Sequence, residues 1–547
     1  MKGRAFAAVV LTGLLLLFGL GAGGWWLLWQ RGPLQLAHQP LPLPRAARFV
    51  PAAASFSLYL FSDGQRPVDY ARAVAPARER RRAAEAMARL RDGAFATAGL
   101  DYGGELAGWL GSEMAVALFE DPVAAATGAG PDQPARGWLL ALASRDDDGA
   151  RRFLQRFWQT RSLAGTDLQV SRYRGMGLIS GRGALVGSRT VPLATALVDD
   201  DLVLIASGRN LLERALDVSQ IGELNQAGQP QLRDGLASFS RGAALLVAAP
   251  EALRGWLGLP ADAPIADDAV ALLAALQPEG RTLAVQARLA LRQTPALKPL
   301  AQEPAAALLE GLGGAPASLA LLQDPAALLQ QPLLRPLLAR SLGQSPPALV
   351  ERQGPLPSLL AQTIHGPLLA SQGQDGWLLA SQEAEPQAGD LDPLLAQAGL
   401  LEAPLAVEGH SLRVWTRLLP PGAGGRRGER RGEGDQLQAP LAGWREARGP
   451  LAWWGQSLAQ LEAPADGRDL QALRRRLQDL QAPVAPLRWA LDGDGARALL
   501  RSWQPWRLLS ALAGGGLDAP VQGLALALEG DGEAPVLQVR ARLSLGP

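Results

Sequence analysis

Cysteine is absent from this 547-residue chain, histidine occurs three times, and lysine stands only at Lys2 and Lys298. Without cysteine there are no disulfides, no thiol catalysis and no cysteine-ligated metal; either redox compartment is compatible. His38, His365 and His410 are too few for a histidine metal cluster or a full triad, so each is read as structural. Scarce lysine removes the common phosphate and Schiff-base residue, and no G-x-S-x-G elbow, S-x-x-K, Walker loop or H-E-x-x-H spacing occurs. Basic and acidic residues nearly cancel at 53 and 52, so no global field draws in nucleic acid, and no such partner is expected.

Residues 5–29 run for 25 positions without a charge, enough for a helix crossing a hydrocarbon core that needs about 20 residues. A cleaved signal peptide is the rival reading, given Lys2, Arg4 and the small residues Ala22, Gly23 and Gly24. The run continues through Trp25, Trp26 and Trp29, which favours an uncleaved transmembrane anchor over residues 1–30 and a membrane partner for residues 5–29. The short basic tail then places the bulk outside the cytoplasm, in periplasm or thylakoid lumen, as a single-pass membrane protein. Residues 31–47 are proline-rich and read as a stalk.

Beyond the stalk, residues 194–217 set the pattern. Leu197 and Val198, then Leu202, Val203, Leu204 and Ile205, are β-favouring runs separated by Asp199, Asp200 and Asp201, which makes a hairpin. Leu211, Leu212, Ala215 and Leu216 then recur at helical spacing. Strands are expected at 56–61, 114–119, 137–144, 241–249 and 281–291, helices at 69–98 and 146–160, a helical stretch at 250–276, and a short helix at Trp109 and Leu110 stopped by Gly111. The segment GWLLA at 137–141 recurs at 376–380, and LAVQARLAL at 283–291 recurs as LQVRARLSL at 537–545. Offsets of 239 and 254 residues require an insertion, supplied by the Gly/Arg-rich loop at 420–436, disordered by composition. The expected fold is α+β: two duplicated modules, at 48–300 and 301–547, each a largely antiparallel sheet with packed helices, behind an N-terminal transmembrane helix.

Several of these residues form a recurring order: Trp109, Gly111 and Glu113 in a W-L-G-x-E step, Tyr173 and Gly175 in a Y-x-G hairpin, and Asp199 and Asp200 in an A-L-x-D-D-x-L-V-L-A-S strand pair. In that order the chain resembles the cyanobacterial family known as domain of unknown function 3352. The resemblance implies a membrane-tethered architecture and a cyanobacterial source, and supplies no catalytic residues.

No catalytic, cofactor or metal residue is assigned. The aspartate run lacks the spread ligands and glycine bend of a cation loop, and the DGDG at 492–495 lacks the later acids of an EF-hand, so both read as turns. Glu113 is the most apt carboxylate, since a wall formed by Trp109 would raise its pKa, but no partner acid is identifiable. The fifteen tryptophans suit a core, or else a groove for an apolar ligand or a partner surface. The expected function is a non-enzymatic binding or assembly element of a cyanobacterial membrane, with a protein partner; the alternative is a carrier of an apolar ligand such as a lipid or pigment. A carboxylate hydrolase is the competing class.

Overall fold

The computed structural model describes residues 32–546 apart from 120–136, 187–188, 251, 254–267, 332–333, 343–354, 383–387, 408, 419–438, 462–466, 515–516, 531 and 533. Its strands are β1 (Phe56–Leu60), β2 (Leu110–Leu118), β3 (Trp138–Ser144), β4 (Asp167–Tyr173), β5 (Met176–Val186), β6 (Arg189–Val198), β7 (Leu202–Ala206), β8 (Ala244–Ala248), β9 (Ala269–Glu279), β10 (Thr282–Leu291), β11 (Pro316–Gln323), β12 (Pro367–Gly373), β13 (Gly376–Gln382), β14 (Leu400–Val407), β15 (His410–Arg417), β16 (Leu441–Arg448), β17 (Leu451–Gly455), β18 (Leu487–Leu491), β19 (Val521–Gly530) and β20 (Val536–Leu545). They form one 20-stranded antiparallel sheet, in the spatial order β4-β5-β6-β7-β3-β2-β1-β8-β9-β10-β20-β19-β18-β11-β12-β13-β17-β16-β15-β14. Read inward from either end, the order is the same once the strand numbers of the first half are raised by ten.

Local chemistry explains the elements. Asp199 and Asp200 adopt φ of 49° and 63°, left-handed values that short polar residues tolerate and that a tight β6–β7 turn requires. The five residues of β7 are all buried, and the helix Arg209–Val218 lays Leu211, Leu212, Ala215 and Leu216 onto the sheet. The same anchoring recurs in both halves. Trp138 N–H donates to Ser207 Oγ (2.9 Å) while Ser207 N–H returns to Trp138 O (3.0 Å); Trp377 N–H donates to Gln456 Oε1 (3.2 Å) while Gln456 N–H returns to Trp377 O (3.1 Å).

Alternating side chains give the sheet two faces. On one face, apolar clusters around Tyr59, Leu204, Leu212 and Leu245 in the first half and around Leu319, Trp444, Trp453 and Leu473 in the second stay separate. On the other, a cluster around Trp109, Phe153 and Phe157 covers the first half. A further cluster there, around Trp377, Trp415 and Trp454, runs across the join through Leu289, Leu537 and Leu543. The join is β10 against β20, with Leu283 facing Leu543 and Leu289 facing Leu537. Gln286 faces Arg540, its own counterpart in the echoed nonapeptide, so a pseudo-two-fold axis passes between them.

Several expectations are corrected. The two modules do not carry separate sheets, because β10 and β20 hydrogen-bond along nine residue pairs and make the ladder continuous. No helix among the described residues is long and apolar enough to cross a membrane, so the transmembrane fold and the single-pass membrane placement are withdrawn. Residues 5–29 themselves lie outside the described residues, as does the 420–436 loop. Residues 33–47 of the expected stalk lie against the sheet, with Leu36, Ala46 and Ala47 buried. The stretch 250–276 ends in strand β9, because a short apolar run such as residues 270–276 fits a buried strand as well as a helix. Gly111 does not stop a helix: it lies inside β2, where an added Cβ would stand 3.0 Å from Ala143 O.

Candidate functional site

Trp109 and Glu113 stand four residues apart on opposite faces of the sheet. A register shift in β2 between Leu110 and Met114 separates them. Trp109 is buried against Phe153, ring centres 5.0 Å apart, and its indole N–H donates to Glu105 O (2.8 Å). No tryptophan wall meets Glu113. On the other face, the Ala46 N–H donates to Glu113 Oε1 (2.9 Å), at the start of the 3-10 turn Arg45–Arg48. Arg45 forks onto Asp201 at 2.9 and 3.0 Å. Burial pushes the Glu113 carboxyl above its ordinary pKa, and the Ala46 N–H and the Arg45 charge only partly offset this. Tyr59 nearby is fully buried, which drives its pKa up, and its hydroxyl donates to Gln226 Oε1 (2.6 Å). The carboxyl therefore receives the Ala46 N–H of a turn laid against the sheet and ties that turn to β2.

The remaining motif residues are ties and turns. Arg174 and Gly175 take φ of 52° and 84° between β4 and β5, Tyr173 O–H donates to Asp217 Oδ2 (2.8 Å), and Arg174 Nε–H donates to Asp217 Oδ1 (3.0 Å). This fastens the hairpin to the helix Arg209–Val218. Asp200 pairs with Arg151 (3.0 Å). Asp199 contributes only its charge near Arg45, so Glu113 and the aspartate turn share one neighbour while Tyr173 and Gly175 stay apart. Among the described residues no group of three or more His, Asp or Glu could hold a metal ion. Asp492 accepts the Gly495 N–H (2.7 Å) and caps the helix Gly493–Ser502.

A second carboxylate cluster was not legible in the sequence. Asp324, buried and at φ 54°, follows β11 and caps the short helix Pro325–Gln330 through the Ala327 N–H (3.1 Å). Lys298 Nζ donates to its Oδ2 (2.7 Å), and His365 Nδ1 lies 3.1 Å from its Oδ1. Burial alone raises its pKa, but the bonds from Lys298, Ala327 and His365 outweigh it and hold the carboxyl below its ordinary value. The available signal was rarity: one of two lysines and one of three histidines meet here. A clamp joining three segments explains the arrangement without a nucleophile. Beside Trp506, a cavity of about 240 Å³ is lined by Arg501, Arg507, Ser510, Ala511 and Asp518. Asp518 accepts from Arg501 Nε and Trp506 Nε1, both at 2.7 Å.

The middle of the sheet offers an open surface on the face shared by Tyr59 and Trp453. Its floor carries Gln277, Gln286, Arg288, Gln538, Arg540 and Arg542, with Gln286 exposed on the axis. Ala275, Ala284, Ala525 and Ala527 between them are small and buried. One rim is the helix Pro230–Ser238, whose Gly235 sits on Leu273, together with the segment Pro33–His38, whose Ala37 O accepts Gln277 Nε2–H (3.0 Å). The other is the helix Arg468–Asp479, from which Arg476 lies over Gly523. Arg540 and the buried Arg488 donate to carbonyls at that helix's C-terminal end, Gln481 O (2.8 Å) and Leu477 O (2.9 Å), where cations oppose the helix dipole. Arg540 also pairs with Glu529 (3.3 Å), and Arg542 with Glu279 (2.5 Å). Arg288 makes no ion pair among the described residues.

A family model described as "Protein of unknown function (DUF3352)" matches residues 9–324, more than half of the chain. The chain belongs to that family. All seven motif residues of the W-L-G-x-E, Y-x-G and D-D segments lie within the matched span. No curated protein matches the chain. Among solved structures, "Structure of crystal form I of TP0453" is similar at 9% identity and TM-score 0.27, covering 45% of this chain and 79% of that one. "Structure of crystal form III of TP0453" is similar at 11% identity and TM-score 0.25, with the same coverage. Likenesses this slight carry no argument about fold or function.

Proposed function

We propose that this DUF3352 chain is a non-catalytic binding element that holds a protein partner across the uncovered middle of its sheet. The observation that carries this reading is the arginine- and glutamine-floored surface between the helices Pro230–Ser238 and Arg468–Asp479, with Gln286 exposed on its axis. Elsewhere helices cover the same face over two apolar clusters, so leaving polar strands open here departs from the chain's own architecture.

The hydrolase reading loses support because Glu113 caps a turn and the Asp324 cluster clamps segments together. The apolar-ligand reading loses support because the described tryptophans sit in or against the apolar cores, and because the cavity beside Trp506, at about 240 Å³ and flanked by two arginines and an aspartate, is below the ~300–1,000 Å³ of typical ligand sites.

The test is a benzophenone amino acid at position 286 of the full chain, photoactivated in the native host, with position 174 at the far turn as control. An adduct at 286 mapped to one peptide of another protein is expected. Absence of any adduct at 286, or turnover of an ester or phosphate substrate that vanishes in Glu113→Gln, would overturn the reading.

A further inference from the structure

We infer that the partner segment filling this surface is a single acidic α-helix, lying along β10 and β20 with carboxylates on Arg288 and Arg542. The inference rests on the binding reading above and adds the chemistry of what is bound.

Width decides the element. Gly235 of one rim helix sits over β9, and the C-terminal end of the other is held over β18 by Arg488. From β9 to β18 there are four inter-strand spacings, through β10, β20 and β19, or roughly 19 Å at about 4.8 Å each. Adjacent helices pack about 8–10 Å apart. The gap is therefore one helix wide: a helix centred in it stands roughly 9.5 Å from each rim helix, completing a three-helix layer on this face.

Charge decides the chemistry. The floor holds Arg288, Arg540 and Arg542 against Glu279 and Glu529, and each glutamate already answers one arginine. Among the described residues Arg288 is left over, half-buried, beside the neutral amides of Gln286 and Gln538. At Arg288 an arriving carboxylate gains a charge-assisted, two-pronged contact without displacing an internal pair, whereas at Arg542 it shares the guanidinium with Glu279. Arg288 and Arg542 occupy the same position of the echoed nonapeptide, so the pseudo-two-fold axis places them symmetrically about Gln286. Arg542 faces Ala284, four residues along β10 from Arg288, which is roughly 14 Å at about 3.4 Å per residue. That span falls between two helical turns (seven residues, about 10.5 Å) and three (eleven residues, about 16.5 Å), the spacings that return side chains to one helix face, so acids seven or eleven residues apart reach both guanidinium groups once side-chain length takes up the difference.

The experiment measures fluorescence anisotropy of a labelled alanine-based helical peptide of about 20 residues, with glutamates at that spacing, against the full chain at low ionic strength. Its twin carries glutamine instead. The glutamate peptide is expected to bind with a Kd at least about tenfold lower than the twin, and raised salt should erase the difference. The double variant Arg288→Gln with Arg542→Gln should lose that preference while its unfolding temperature stays near wild type, and Arg174→Gln at the far turn should keep it. Equal binding of the two peptides, no binding of either, an unaffected double variant, or tighter binding of a single-stranded oligonucleotide would each overturn the acidic helix. A photo-adduct at position 286 without preference for the acidic peptide would sink this inference and leave the binding reading standing; loss of both would sink both.

Discussion

Trp138 and Trp377 occupy matching positions at the start of β3 and β13, yet the fold treats them differently, and truncating each to alanine should expose the difference. Trp377 is 1% exposed, in the large cluster with Trp415 and Trp454, and so close to Gly443 that an added Cβ there would lie 2.9 Å from its ring. Trp377→Ala should cost roughly 3–5 kcal/mol, as large core truncations do. For a cooperative unit of about 150–250 residues, each kcal/mol lowers Tm by about 2–4 °C, which gives a fall of roughly 6–20 °C. Trp138 is only half-buried at the rim of the Trp109 cluster, so Trp138→Ala removes less burial and should cost about half as much. The backbone ties to Ser207 and Gln456 survive in both variants, which isolates the side-chain contribution. Calorimetry or far-ultraviolet dichroism is the assay, since removing a tryptophan alters fluorescence directly. A Trp138→Ala variant as unstable as Trp377→Ala would refute the view that burial, rather than position in the repeat, sets the cost.

The carboxylates make opposite predictions with pH. The folded pKa of Glu113 is raised by burial, so the folded state binds this proton more tightly, and the group's contribution to stability grows as pH falls through that raised value toward the ordinary one; the difference in Tm between wild type and Glu113→Gln should carry that slope, and a flat difference would contradict it. Asp324 is held below its ordinary pKa, so its contribution is present above the ordinary value and disappears as pH falls through the lowered one. Asp324→Ala should cost about 1–3 kcal/mol at neutral pH through the lost cap and ion pair, and a loss under about 0.5 kcal/mol in urea unfolding would show the clamp to be idle. Gly228→Ala places a Cβ 1.8 Å from Gly222 O, a backbone atom that cannot swing aside, so a loss of about 3 kcal/mol or more is expected; wild-type Tm would mean that the loop moves freely.

Much of the local structure was legible because short-range chemistry fixes it. The turn at Asp199 and Asp200, the helix with Leu211, Leu212, Ala215 and Leu216, and the hairpin at Gly175 follow from turn residues and period. Boundaries failed where two structures share one pattern: residues 270–276 suit a buried helix or a buried strand, and only the pairing of β9 with β8 and β10 decides. The short step from Trp109 to Glu113 misleads. Four residues along a regular strand return a side chain to the same face, but the register shift between Leu110 and Met114 accompanies Trp109 and Glu113 lying on opposite faces, so the proximity in sequence was not proximity in space.

The open surface was illegible for a different reason, which lies in the echo itself. Alternation put Arg288 and Arg542 on the polar face of each nonapeptide, where a lone arginine on a strand reads as solvated. The reading changes when the echoed strands are the pair that joins the halves. A residue repeated in two copies normally ends up at two distant places, one per copy; repeated on the joining strand, it ends up twice at one place. Pairing β10 with β20 around Gln286 and Arg540 brings the two echoed arginines to either side of the axis, in a part of that face that no helix among the described residues covers. The nonapeptide echo therefore has two consequences that sequence alone cannot separate: it repeats a strand, and by closing the sheet with that strand it doubles a charge at the seam.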